Sequence, residues 1–126
     1  MRGSVKLAAE GDHFVLTLTT PQRVAVTYAA EVVENLQVPD LVVEVMFGAP
    51  RRTLVETGNR FDSEEPTPTT LSEVKALYQM LKTVPECYGS EEAFHIRTGY
   101  YRENFTDLAK GLINAVGKIP RPEEPR

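Results

Sequence analysis

The chain changes from a two-residue to a helical repeat of apolar residues at Thr20-Pro21, and this change restricts the fold more than any other feature. Before it, two short segments on either side of Gly11-Asp12 alternate apolar and mostly polar residues. The apolar positions are Val5, Leu7, Ala9, Phe14, Leu16 and Leu18. Alternation is the period of a β-strand, so the segments predict a hairpin with one apolar face. We expect helices to cover that face.

Three segments place apolar residues at helical spacing. The first starts at Thr20-Pro21, because threonine suits an N-cap and proline suits the first helical position. The second starts at the capping box Thr70–Glu73. The third contains the stripe Phe105–Val116 and ends at Gly117, a typical helix C-terminal residue. Each segment has a single apolar stripe, which predicts three amphipathic helices.

Three further strands are predicted between these helices. Residues 41–47 are valine-rich and nearly continuous in hydrophobicity, which favours a central strand. Residues 52–57 return as its partner and end at the turn residues 58–59, and residues 94–98 form a short fifth strand. Acidic and proline residues dominate 60–70, which predicts an exposed, mobile acidic loop.

Together these elements predict an α+β fold in a single domain spanning residues 1–117. The expected order is β-β-α-β-β-α-β-α, with a mainly antiparallel sheet of about five strands and three amphipathic helices on one face. A chain of 126 residues has the usual size of one domain. Residues 118–126 form a proline-rich C-terminal tail.

Composition excludes several classes of protein. No apolar run approaches the roughly 20 residues of a membrane helix, and charges occupy Lys6, Glu10 and Asp12, where an export signal has its apolar core. A lone Cys87 suits the reducing cytoplasm, which is the predicted location. The net charge of −4 and the isoelectric point of about 5.2 disfavour nucleic acid as a partner, because phosphate binding usually needs a basic surplus.

One segment, residues 94–102, combines two arginines, a histidine and three aromatic residues without an acidic residue. Arginine binds phosphate and aromatic rings stack on bases, so the segment is a candidate site for a nucleotide or single-stranded nucleic acid. The candidate binding residues are Arg97, Tyr100, Tyr101 and Arg102. The structural alternative buries Phe94 and Ile96 in the core, uses the tyrosines to cover a helix start, and pairs the arginines with nearby glutamates.

Two histidines extend this candidate site. If His13, His95 and Arg97 all lie on the open face of the predicted sheet, they could bind an anion or stabilise an oxyanion. Isolated histidines without a motif are more often surface residues, so a structural interpretation stays open beside this one.

A small enzyme using His95 or Cys87 is a further alternative, because a nearby imidazole can activate a thiol. Glu86 opposes thiolate formation, and we predict no catalytic residue. Two histidines and one cysteine give no zinc-binding spacing, and Gly48, Gly58 and Gly99 are interpreted as turn residues. We therefore predict no metal and no cofactor.

The leading hypothesis is a non-enzymatic binding or regulatory domain that acts through a protein partner or through a second copy of itself. Val15, Val42 and Met46 interrupt the polar face of the predicted sheet with apolar groups, and pairing of two copies would cover them. Arg51-Arg52 is interpreted as a solvated cationic turn. Nucleic-acid or nucleotide binding through residues 94–102 is the main alternative to protein binding.

Overall fold

The computed structural model describes residues 5–61 and 65–119. In these residues the strands are β1 (Lys6–Glu10), β2 (His13–Thr17) and β3 (Thr67–Thr69). The helices are α1 (Thr20–Asn35), α2 (Asp40–Phe47), α3 (Arg51–Asn59), α4 (Leu71–Thr83), α5 (Glu91–Thr98) and α6 (Arg102–Gly117), with a 3-10 helix at Val84–Cys87. The fold is α+β, but the predicted five strands and three helices are wrong: the described residues form six α-helices and a three-stranded antiparallel sheet.

The sheet has the order β1-β2-β3, and all of its pairs are antiparallel. The predicted hairpin of β1 and β2 is present, and its turn uses Gly11 at φ 61°, a conformation that glycine adopts without strain. Leu7 lies opposite Leu16, so both side chains point to the same, inner face. Leu16 is completely buried, and this face is the one that the helices cover.

β3 forms inside the segment that was predicted to be a mobile acidic loop, residues 60–70. It pairs with β2 through Phe14 and Thr69, and Thr69 is buried. The sequence Thr-Pro-Thr has no apolar alternation, so its strand comes from pairing with β2 rather than from local preference. Residues 62–64 of the predicted loop lie outside the described residues.

The three helices predicted from their stripes are present as α1, α4 and α6. α1 starts one residue earlier than predicted, since Thr19 is the N-cap and forms a capping box with Gln22. α4 has the predicted capping box of Thr70 and Glu73. Leucines and valines from all three helices meet the inner face of the sheet around Leu16. The described part of the predicted tail, residues 118–119, continues the end of α6 with turn hydrogen bonds; residues 120–126 lie outside the described residues.

The predicted strands at 41–47 and 52–57 are wrong, because both segments are helical. α2 buries only Val43 and Phe47, which are one helical turn apart, and ends at Gly48 in the left-handed conformation. A valine-rich run of eight residues favours a strand locally. In the fold, however, only Val43 and Phe47 contact the core, and their spacing of four residues suits a helix. Among the described helices, none is long and apolar enough to cross a membrane.

α3 packs against α1 at Gly58, which was interpreted as a turn residue. Gly58 is buried inside α3, and a Cβ atom there would lie 2.6 Å from the Cβ of Ala30. Glycine therefore allows the two helix backbones to approach closely at this point.

Arg51 is a structural residue and not a solvated charge. Its guanidinium donates hydrogen bonds to the carbonyls of Val33 (2.6 Å), Leu36 (3.1 Å) and Val38 (2.6 Å), and its Nε donates to Asp40 (2.7 Å). The last carbonyls of a helix lack partners within the helix, so Arg51 satisfies the end of α1 and the link to α2. Its neighbour Arg52 lies on the surface.

The predicted fifth strand at 94–98 is also wrong, because these residues belong to α5. Phe94 and Thr98, one turn apart, are the buried residues of α5. Ser90 accepts a hydrogen bond from the backbone N–H of Ala93, and Gly99 ends the helix at φ 79°. In a helix His95 and Arg97 are about 200° apart and share no face.

Candidate functional site

The two arginines of the predicted cluster at 94–102 are both held by groups of this chain. Arg97 forms an ion pair with Glu31 of α1, with 3.1 Å between Nη2 and Oε1, and both side chains stay partly exposed. Arg102 donates from Nη2 to the carbonyl of Tyr88 at 2.6 Å, and its backbone N–H donates to Glu91 at 2.8 Å. A phosphate at Arg97 would have to compete with Glu31.

Tyr100 is a packing residue between α1 and α6. Its ring meets Tyr28 and Phe105 edge to face, at centroid distances of 5.9 and 5.7 Å, and its hydroxyl donates to the carbonyl of Pro21 at 3.3 Å. Burial and, to a smaller extent, the neighbouring Tyr28 raise the pKa of Tyr100. The tyrosine therefore keeps its proton and its contacts at any ordinary pH.

Tyr101 and His95 form a stacked pair on the surface. Their ring centroids are 4.4 Å apart and their planes differ by 9°, and Tyr101 remains 52% exposed. The Nδ1 of His95 lies 3.3 Å from the carbonyl of Tyr100. The stack covers the start of α6, where Tyr101 is the N-cap residue.

The side-chain contact of His13 is made outside the cluster at 94–102. It starts β2, and its Nδ1 is 3.4 Å from Asp12. The anion pocket requires His13, His95 and Arg97 on one sheet face, but His95 and Arg97 belong to α5. The structure thus brings together His95, Tyr100 and Tyr101, and the binding role of the six candidate residues stays a prediction.

Cys87 is half-buried at the end of the 3-10 helix. Its thiol donates to the carbonyl of Thr83 at a sulfur–oxygen distance of 3.7 Å. Burial, and next the charge of Glu86, raise the pKa of the Cys87 thiol, which disfavours the nucleophilic thiolate. No group of three or more histidine, cysteine, aspartate or glutamate side chains that could hold a metal ion occurs in the ranges 5–61 and 65–119.

The most unusual surface is an apolar face on α2, which we call the α2 face. It consists of Leu41, Val42, Val45 and Met46. Leu41 and Val45 are 72% and 79% exposed, and Val42 and Met46 are 40% and 39% exposed. The two residues of each pair are one helical turn apart, so the four side chains form a continuous surface. An exposed contiguous apolar surface commonly marks a binding site.

A groove of about 520 Å³ adjoins the α2 face. One wall carries Val45 and Met46, and the opposite wall is α4 with Ser72, Lys75 and Gln79. Pro50, at the start of α3, also lines the groove. The groove is an open surface feature between helices and is large enough to receive side chains of a second protein.

The α2 face was found only in part from the sequence. Val42 and Met46 were predicted to be exposed apolar residues, whereas Leu41 and Val45 were expected inside a central strand. Helical spacing would have placed all four residues on one side, opposite Val43 and Phe47. A signal for a helix was present, since Asp40 and Gly48 stand where an acidic first turn and a C-terminal glycine are favoured.

Known proteins provide no guide to the use of these features. The chain matched no protein-family model, no curated protein and no solved structure when it was compared with each. The function of the chain is therefore inferred from the chemistry of its described residues.

Proposed function

We propose that this chain is a non-enzymatic binding domain that acts through a protein partner, and that the partner binds at the α2 face. The observation that carries the proposal is the joint exposure of Leu41, Val42, Val45 and Met46 on a helix of two turns. Their exposed apolar area is on the order of 400 Å², which lies within the range of functional patches on monomers. Covering this area with another protein removes it from water and stabilises the complex.

The groove supports an apolar helix as the partner's binding element. Amphipathic helices bind in grooves through side chains that are three or four residues apart. Here the α2 face offers pairs at that spacing, and the neighbouring groove runs between two helices, α2 and α4. The apolar stripe of a partner helix can therefore cover the α2 face while its larger side chains fill the groove.

Charges at the edges add a requirement for the partner. Glu44 of α2 and Lys75 of α4 are exposed, and neither has an ion-pair partner among the described residues. A suitable partner therefore carries a cation near Glu44 and an anion near Lys75. Such opposite charges steer association and select the orientation of binding.

The contacts of the cluster at 94–102 favour protein binding over the two alternatives. Arg97 and Arg102 are engaged with Glu31 and Tyr88, and the raised pKa of Cys87 opposes nucleophilic chemistry. Nucleic-acid binding and a small enzyme based on His95 or Cys87 stay predictions.

Site-specific photo-crosslinking tests the proposal. A photoreactive residue replaces Val45, and in a matched control it replaces Ile96, which is 76% exposed on α5. The protein crosslinked through Val45 is identified by mass spectrometry, purified, and its affinity for the chain is measured. We expect Val45→Glu to weaken binding more than tenfold, and Ile96→Glu to leave it unchanged. Equal crosslinking at both positions, or equal losses of affinity, would contradict the proposal.

A further inference from the structure

We infer that the protein partner is a second copy of this chain, and that two copies bind each other through their α2 faces in a two-fold symmetric dimer. This inference rests on the proposed function of the α2 face. A symmetric dimer uses the same surface on both subunits, so the surface must complement itself. The four apolar residues meet this requirement, because an apolar face covers an equal apolar face without leaving a polar group unpaired.

The charges beside the α2 face also complement the same set of charges on a second copy. On α2 and α3, Asp40 pairs with Arg51, and Arg52 pairs with Glu56. Among the charged residues of these two helices, Glu44 is the one without an ion pair within the described chain. The cation nearest to the groove, Lys75, is likewise without one in the described ranges.

Glu44 and Lys75 border opposite sides of the α2 face. At about 100° per residue, Glu44 lies beside Leu41 and away from Met46, whereas Lys75 stands on the far wall of the groove that Met46 lines. When a two-fold axis runs along α2, each edge of one copy meets the opposite edge of the other. Glu44 of each copy then faces Lys75 of the other, and the dimer gains two ion pairs.

The area of the face sets the strength of this dimer. Stable complexes bury about 800 Å² on each partner, which is roughly twice the exposed apolar area of the α2 face. The groove walls add contact area, but the interface remains at the small end of the range. We therefore expect reversible association at micromolar concentration.

Sedimentation equilibrium of the full chain, from low to high micromolar concentration, tests the inference. The average mass should rise from 14.1 kDa towards twice that value. Val45→Glu should keep the chain monomeric, and the control Ile96→Glu should dimerise like the unaltered chain. Because Val45 is 79% exposed, its substitution should leave the circular dichroism spectrum unchanged.

Charge exchange tests the arrangement without removing apolar contacts. Glu44→Lys and Lys75→Glu alone should each weaken the dimer roughly tenfold, since each places like charges face to face twice. The double variant restores both pairs with their signs exchanged, so it should dimerise as the unaltered chain does. A dimer that is not restored in the double variant overturns the two-fold arrangement.

The remaining outcomes separate the inference from the proposed function. A strict monomer at high micromolar concentration overturns the second copy as the partner. The proposed function survives that result when Val45 crosslinks to another protein whose purified form binds at the α2 face. A dimer that forms equally well with Val45→Glu overturns both, because its interface lies elsewhere.

Discussion

Gly58 of α3 and Ala30 of α1 meet where the two helices leave no room for another carbon atom. A Cβ built on Gly58 would lie 2.6 Å from the Cβ of Ala30 and 3.5 Å from the carbonyl oxygen of Val26. Glycine within a helix costs about 1 kcal/mol relative to alanine. Both residues are buried, and the close packing of the two helices that glycine allows here offsets this cost.

Gly58→Ala should destabilise the protein by about 1–3 kcal/mol, because the added methyl group overpacks the contact by more than the gain in helix propensity. Urea unfolding measures the change. Gly117→Ala is the matched control, since Gly117 ends α6 with no atom close to its added Cβ, and it should not destabilise. In an Ala30→Gly background the penalty at Gly58 should shrink. A stabilised Gly58→Ala variant would contradict the packing argument.

Arg51→Ala should lower the free energy of unfolding by about 2–4 kcal/mol, because it leaves several carbonyls at the end of α1 without their charged donor. The neighbouring Arg52→Ala removes only the exposed pair with Glu56 and should change stability by less than about 0.5 kcal/mol. Thermal and urea unfolding of both variants give the comparison. Similar effects at the two positions would show that Arg51 does not stabilise the link between α1 and α2.

Glu73→Gln should destabilise the protein by about 1 kcal/mol near neutral pH. Burial raises the pKa of Glu73, but hydrogen bonds from Arg60 and Thr70 and the charge of Arg60 outweigh it and hold the pKa below its ordinary value of 4.5. Glutamine can keep the capping contact with Thr70, so the variant isolates the charge.

The effect of Glu73→Gln should depend on pH with a defined sign. A carboxyl whose pKa is lower in the folded chain stabilises it above the unfolded pKa, and this contribution is lost as the pH falls through the folded pKa. The stability gap between the two proteins should therefore be constant above about pH 4.5 and close in more acidic solution. Unfolding curves across this range provide the measurement, and a gap that widens on acidification would be the opposite result.

Cys87 should react slowly with iodoacetamide in the folded chain, since burial and Glu86 raise its pKa above the ordinary value of 9.0. The rate should begin to rise only at a more alkaline pH than for the same thiol in the urea-unfolded chain, which is the control. A folded chain that reacts faster than the unfolded chain would instead indicate an activated thiol.

Local signals made half of the helices predictable. α1, α4 and α6 combine a long apolar stripe with a recognisable end: α1 and α4 start after a threonine cap, and α6 finishes at Gly117. α2, α3 and α5 have eight or nine residues, too few for periodicity to distinguish a helix from a strand. The sequence nevertheless contains cap residues typical of helix ends: Ser90 precedes α5, Gly99 follows it, and Gly48 follows α2.

The candidate surface needed the fold before it could be recognised. Valine and leucine at 41–46 indicate burial in any local reading, because apolar residues usually lie inside. Only the packing of α2 through Val43 and Phe47 leaves the other apolar side chains outside. The contacts of Arg51 and of Gly58 likewise join residues distant in the sequence, which no local pattern encodes.

The pairing of Phe14 with Thr69 has a consequence for how the chain folds. Thr69 belongs to β3, and the chain between β2 and β3 contains α1, α2 and α3. This whole segment must fold back before β3 can pair with β2. Closing so long a loop is entropically unfavourable until the intervening helices have collapsed. We expect the β1–β2 hairpin and the α1–α3 contact to form early. β3 should then pair with β2 last and complete the sheet.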